Sequence, residues 1–366
     1  MKNNMIEVKK IVNLLLEDKK LYDECGELFK YMGEVRINFS SLKEHNVPWQ
    51  LTQILEITYS NKINGYDLDL FDVTLAYSTN HLKKELAKSA AWANFEVTFL
   101  ISKIRKEKRQ IDFMDITKIV NIINNHYSYE DDSNKINHFS DKLFSMETQK
   151  IYINLLNGTF ANNALYFFPL FLYLTEHLIK ALKHKHIIRS LIINLYLMKN
   201  KLLFAPTISF SYPLFYAFNE YLACLEEIDK NNQKIKDFSK LVFDLLKQSS
   251  VVSRAFISSI SSINSKLKQL QENKKNKAIR NVNINNLLVR VAIDDKDNEI
   301  MAGVATKETL KDLINLLNRE EMLVEIGKSK KYKVYLFKEY YSNLAKLNKN
   351  KDQKTTKIFI LKENLN

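Results

Sequence analysis

Ile187-Ile-Arg-Ser-Leu-Ile-Ile-Asn-Leu-Tyr-Leu-Met-Lys-Asn-Lys-Leu-Leu203 reads as one amphipathic helix with a basic end. Ala205-Pro206 follows, and Ser211-Tyr-Pro-Leu-Phe-Tyr-Ala-Phe-Asn-Glu-Tyr221 then forms a second helical stretch. Upstream, Ala164-Leu-Tyr-Phe-Phe-Pro-Leu-Phe-Leu-Tyr-Leu174 is the most apolar run of the chain, only 11 residues long. A membrane span needs about 20, so no membrane association is expected. The run reads instead as the buried central helix of a helical bundle, with Pro169 kinking it or marking its start.

The rest of the chain extends this helical reading. Only six Gly and four Pro occur in 366 residues, which favours long helices over tight hairpins. A hydrophobic content of 46% fits a folded chain with a sizeable core. Cys25 and Cys224 cannot build a disulfide framework, which fits a reducing cytosol, and they read as two buried small hydrophobes. The first ten residues lack the apolar core of a signal peptide, so the expected location is cytoplasmic.

Helices are expected at about 6–32, 49–62, 81–108, 112–125, 145–156, 161–181, 187–203, 211–229, 232–250 and 251–272. Pro48 marks a break, Asn64-Gly65 a helix stop, and 126–135 a polar loop. The small residues Ala87, Ala90, Ala91 and Ala93 allow close helix approach. Residues 273–281 read as a charged linker. Beyond it, Ile284–Ala292 reads as a short apolar helix. Thr306 is the expected N-cap of an amphipathic helix with Leu310, Leu313, Ile314 and Leu317 on one face. Met322–Ile326, a basic turn at 327–331 and Tyr332–Leu336 then give strand, turn, strand: the pattern of a winged helix. The tail after Leu344 is expected to fray, with Lys357–Leu361 as an added edge strand.

The succession from His177 to Leu222 resembles the core of Fic-domain (Fic/Doc) proteins. There a signature loop leads into a helix ending in a Leu-Leu turn, then a Pro, then a Ser-started helix with Glu-Tyr near its end. Longer Fic proteins often end in a winged helix, so the order of parts is similar too. The fold this implies is mainly α, a Fic-type helical bundle with a small C-terminal α+β winged-helix module. Its parts are an N-terminal helical region (1–110), a Fic-like core (111–272), the linker, the module (282–345) and a polar tail (346–366).

The resemblance also implies a chemistry, transfer of AMP from ATP to a protein hydroxyl. Family members use a motif His as general base and an Asp/Glu as Mg²⁺ ligand. A Gly-Asn-Gly turn cradles phosphate at a helix N-terminus, and an Arg pair neutralises it. The equivalent stretch here is His177-Leu-Ile-Lys-Ala-Leu-Lys-His-Lys-His-Ile-Ile-Arg189. With Arg189 as the last Arg, the base position falls on Leu178, one residue after His177. The acidic position becomes Leu182, the Gly-Asn-Gly turn Lys183-His184-Lys185, and the first Arg His186. The family's inhibitory helix, Ser/Thr-x-x-x-Glu-Gly/Asn, is matched by Ser60-Asn-Lys-Ile-Asn64-Gly65 with Asn in place of Glu. Ala217-Phe218 replaces a polar pair of the later helix. These changes point to a pseudoenzyme that acts by protein or DNA binding, with no cofactor.

The alternative is a divergent adenylyltransferase using ATP and Mg²⁺. His177 is then the catalytic residue, and Arg189, Lys185 and His186 bind phosphate. Plainer readings stand beside both. His177 ends an apolar helix, where the dipole favours a His. His184 and His186 lack a third ligand for a metal, so no metal site is expected. A protein partner is expected, and a homodimer and an added-strand groove are open alternatives.

The net charge is +13, of which +9 falls after residue 265, from 22 Lys/Arg against 13 Asp/Glu. That basic excess points to DNA as a partner of the C-terminal module. The candidate contacts are Thr306, Lys307 and Lys311 on the helix and Lys328, Lys330, Lys331 and Lys333 on the wing. Alternatively the excess reflects a Lys- and Asn-rich composition alone, and the module packs on the body or mediates dimerisation.

Overall fold

The computed structural model describes residues 8–41, 47–78, 85–127, 145–159, 163–273, 277–280, 282–288, 291–294, 306–328 and 333–349. Among the described residues the body's regular elements are helices: α1 Val8–Leu16, α2 Lys19–Ser41, α3 Val47–Ile63, α4 Leu70–Ser78, α5 Glu85–Glu107, α6 Phe113–His126 and α7 Met146–Leu156 lead to α8 Phe168–Ile179 and α9 Lys185–Lys199. α10 Ser211–Tyr216, α11 Phe218–Lys230 and α12 Ile235–Glu272 complete it. α8 is the expected central helix. Pro169 sits in its first turn, where the missing N–H costs nothing, so it starts the helix rather than kinking it. α8 and α9 are buried along nearly their whole length and form the middle of one core, packed by α1, α2, α5, α6, α7, α11 and α12.

Several expected boundaries differ from those observed. The helix at 6–32 is two helices, because the Asp18 carboxylate accepts the Leu21 N–H at 3.0 Å and caps α2. The stretch 211–229 is also two, divided at Ala217 (φ −101°, ψ 14°). The reverse holds at 250–251, where α12 runs unbroken for 38 residues. Its serines do not break it: Ser239, Ser249, Ser250 and Ser253 each donate to the carbonyl four residues back. Asn64-Gly65 is a helix stop as expected. Gly65 has φ +89°, and the Tyr66 N–H returns to the Asn61 carbonyl at 3.0 Å.

After α12, Lys277–Arg280 (α13) is a helical turn with Ile279 buried, so that part of the charged segment is packed. Ile284–Ala292 is not one helix. Its helical part, α14, is Ile284–Leu288, and Ala292–Asp294 is strand β1. Thr306 caps α15 (Lys307–Arg319), accepting the Thr309 N–H at 3.2 Å. β2 (Leu323–Lys328) and β3 (Lys333–Phe337) are antiparallel, and β1 pairs with β3, giving the order β1-β3-β2. α16 runs Lys338–Lys349, with Tyr340 and Leu344 fully buried, so helix continues past Leu344 as far as the described residues go. The loop 128–135 and the strand expected at Lys357–Leu361 lie outside the described residues.

The C-terminal elements do not stand apart from the body. They share one hydrophobic core with α3, α4, α5 and the second half of α12. Asn343 donates to Ser259 at 2.7 Å, Lys266 pairs with Glu339 at 2.6 Å, and Tyr341 stacks on Phe71. No helix among the described residues is long and apolar enough to cross a membrane.

Candidate functional site

α8, α9, α11 and the end of α3 converge around Arg189. Its side chain has no exposed surface. Nη1 donates to Glu176 Oε1 at 2.9 Å and to His186 Nδ1 at 3.1 Å. Tyr221 donates to the same Glu176 oxygen at 2.8 Å, and its ring lies 5.6 Å from the guanidinium carbon. Burial works against the Arg189 charge, but Glu176, Tyr221 and Glu56 outweigh it and raise its pKa. The arginine is thus a core cation with its own counter-ion. It is not presented to a phosphate.

His186 is buried against Phe218, edge to face at 5.1 Å. Burial, then the Arg189 and Lys185 charges, pushes its pKa down to about 2. Accepting a hydrogen bond on Nδ1 requires the neutral ring with its proton on Nε2. His184 is also buried, packed on Tyr66 and Tyr127 and 3.2 Å from the Tyr66 hydroxyl. Lys185, half-buried, opens α9. Cations are disfavoured at a helix N-terminus, and a neutral side chain reaches the first turn here. Asn64 reaches across from the end of α3, accepting the His186 N–H at 3.3 Å and donating to the Lys183 carbonyl at 3.2 Å. Ser60, one turn earlier, is buried and donates to the Ile57 carbonyl. The segment 60–65 therefore does touch the loop 183–186.

His177 faces elsewhere. Its Nε2 lies 3.0 Å from Asp229 Oδ1, which also accepts the Tyr173 hydroxyl at 2.8 Å. Burial would raise the Asp229 pKa, but these two hydrogen bonds and the His177 charge lower it. His177 is thus an α8–α11 tie, separate from the Arg189 cluster.

Between α3 and α9 lies a cavity of about 10 Å³, lined by Ser60, Asn61, Asn94, Ile187 and Ser190 among others. That is room for about one water molecule. ATP–Mg²⁺ does not fit the residues present. Residues 177–189 contain no Gly and no carboxylate. Glu176, the nearest carboxylate in sequence, is taken by Arg189 and Tyr221, and the α9 N-terminus is covered by Asn64. Among the described residues no group of three or more His, Cys, Asp or Glu is placed to hold a metal.

Sequence reasoning missed Glu176, Tyr221 and Asp229, and above all Glu56. Glu56 is buried on α3 and accepts from Ser209 Oγ at 3.0 Å, Ser211 N–H at 2.9 Å and Ser211 Oγ at 2.6 Å. Burial raises its pKa against those hydrogen bonds and against Arg189. Nothing in the linear sequence links position 56 to 209–211.

On the C-terminal module, Lys307 and Lys311 are exposed, but so are Glu308 and Asp312 on the same helix. Lys333 pairs with Glu325 at 3.2 Å across the hairpin. Lys328 ends β2, and Lys330 and Lys331 lie outside the described residues. A scan against protein-family models gives no match, and a comparison with curated proteins gives none either.

Proposed function

We propose that this chain is a non-catalytic protein of the Fic type, a pseudoenzyme that works by binding other macromolecules. The observation that carries the reading is the state of Arg189. The residue aligned with the family's phosphate-binding Arg is fully buried and paired through Nη1 with Glu176, while Asn64 accepts an N–H of the adjacent helix N-terminus. Such a loop holds the scaffold together, and its Arg189 is not free to neutralise a triphosphate.

The C-terminal module is the binding part in this reading, a winged helix contacting nucleic-acid phosphates. The capped helix α15, the hairpin after it and the third strand on the β3 edge support that assignment. The mixed charge on α15 argues that Lys307 and Lys311 touch backbone rather than read bases. The experiment is transfer of labelled AMP from ATP with the purified full chain. No labelling of itself or of added proteins is expected. Labelling that His177→Ala abolishes would overturn the reading and establish the divergent transferase.

A further inference from the structure

The small cavity between α3 and α9, which α5 closes through Ala90 and Asn94, has a polar lining. Ala90, Ser60 and Ser190 leave the space because their side chains are short, and Asn61 and Asn94 bring amides to it. Asn94 is only 4% exposed, and its Oδ1 has no hydrogen-bond partner among the described residues. Buried side-chain acceptors nearly always have a partner, either protein or ordered water. Cavities that stay empty are lined by apolar groups, and this one is not.

The other polar groups at the cavity have hydrogen-bonding capacity to spare. Ser60 and Ser190 donate to the Ile57 and Ile187 carbonyls at 3.3 and 2.8 Å, which leaves both hydroxyl oxygens able to accept. Asn61 is oriented by the Tyr127 hydroxyl, which donates to its Oδ1 at 2.7 Å. Its Nδ2 gives one proton to the Ile57 carbonyl at 2.8 Å and carries a second. The lining thus offers acceptors for two protons and a donor for one lone pair, which is the complement of a water molecule. No carboxylate lines the cavity, so a cation would lack a counter-charge there. We propose that one ordered water occupies this site, donating to Asn94 Oδ1 and to a serine oxygen and accepting from Asn61 Nδ2. It ties α3, α5 and α9 together one turn before Asn64, which reaches the α9 N-terminus. The site does not depend on the Fic-type function proposed for the body.

A crystal structure of the full chain, at a resolution that shows ordered water, tests it. A density peak is expected about 2.7–3.2 Å from Asn94 Oδ1 and at similar distances from Asn61 Nδ2 and the Ser60 or Ser190 oxygen. A cavity without a peak would overturn the proposal, and so would an Asn94 amide paired directly with a protein group. Solution measurement gives a second test. Relaxation dispersion of the water oxygen-17 signal counts long-lived buried waters. Asn94→Leu, which removes the acceptor and fills space, should hold one such water fewer than the wild-type chain. An equal count in a variant with unchanged circular dichroism would overturn the proposal. Should the variant fail to fold, the wild-type crystal structure still decides.

Discussion

Arg189 carries a charge into a site with no exposed surface, and its Nε and Nη2 find no acceptor among the described side chains. Removing one partner of a buried pair leaves the other uncompensated, at a cost of about 3–5 kcal/mol. Arg189→Leu should therefore destabilise the fold by about that much in denaturant unfolding. Adding Glu176→Leu should recover part of the loss, because the stranded carboxylate goes with it. If the double variant shows the full sum of two single losses, the two groups are not coupled as described. His186 gives a pH test. Its pKa lies at about 2 in the folded protein against its usual 6.5, so folding favours the neutral ring. That contribution is fully present above the unfolded value of 6.5 and is lost as pH falls towards the folded one. The slope is up to about 1.4 kcal/mol per pH unit. Between about pH 7 and about pH 5 the wild-type protein should lose stability faster than His186→Asn. Equal slopes would mean that the ring is hydrated and free to protonate.

At the scale of elements, the segment 204–211 has little regular structure of its own and is held from both sides. Thr52 and Gln53 on α3 donate to the Pro206 carbonyl at 3.0 and 2.8 Å, and Glu56 takes Ser209 and Ser211. On the other side, the Ser209 and Thr207 carbonyls lie within hydrogen-bond reach of the Ser249 and Ser253 hydroxyls of α12, sharing each hydroxyl's one proton with the carbonyl four residues back. Because burial favours the neutral form of Glu56, Glu56→Gln should cost less than about 1 kcal/mol. Glu56→Ala, which leaves an N–H and two hydroxyls unpaired beside a void, should cost about 2–4 kcal/mol. Thermal melts of the two variants decide the point, and a Gln variant as unstable as the Ala variant would mean a charged carboxylate. These contacts explain what the sequence could and could not disclose. α15 is legible because one apolar stripe, Leu310, Leu313, Ile314 and Leu317, faces the core and Thr306 caps it locally. α3 announces its ends through Pro48 and Gly65 but not its role. Residues 51–61 are all buried, so Thr52, Gln53, Glu56 and Asn61 serve partners rather than solvent, and the usual polar face is absent. The Asn64–His186 contact joins positions 122 apart in sequence, which local patterns do not encode.

At the scale of the whole molecule, the C-terminal elements and α3, α4, α5 and α12 bury one continuous core. Removing residues 282–366 would strip apolar partners from Phe256, Ile260, Ile263 and Leu267 on α12. The truncated chain should therefore aggregate or melt well below the full chain, and it is no clean test of DNA binding. Charge variants of the full chain are. Replacing Lys307, Lys311, Lys328, Lys330 and Lys331 by Ala should weaken binding on all DNA sequences. It should also flatten the log–log salt dependence by about 0.9 for each phosphate no longer neutralised. Lys333→Ala should matter less, since Glu325 already holds that ammonium. An unchanged salt slope would reduce the basic excess to a solvated face. The central claim is the proposed one for the body: with Arg189 buried and paired to Glu176, the loop at 183–189 binds no nucleotide. Calorimetric titration of the full chain with ATP–Mg²⁺ tests that most directly. No heat of binding above dilution at millimolar nucleotide is predicted. Saturable binding that Arg189→Leu abolishes, with the variant's fold intact by circular dichroism, would contradict it.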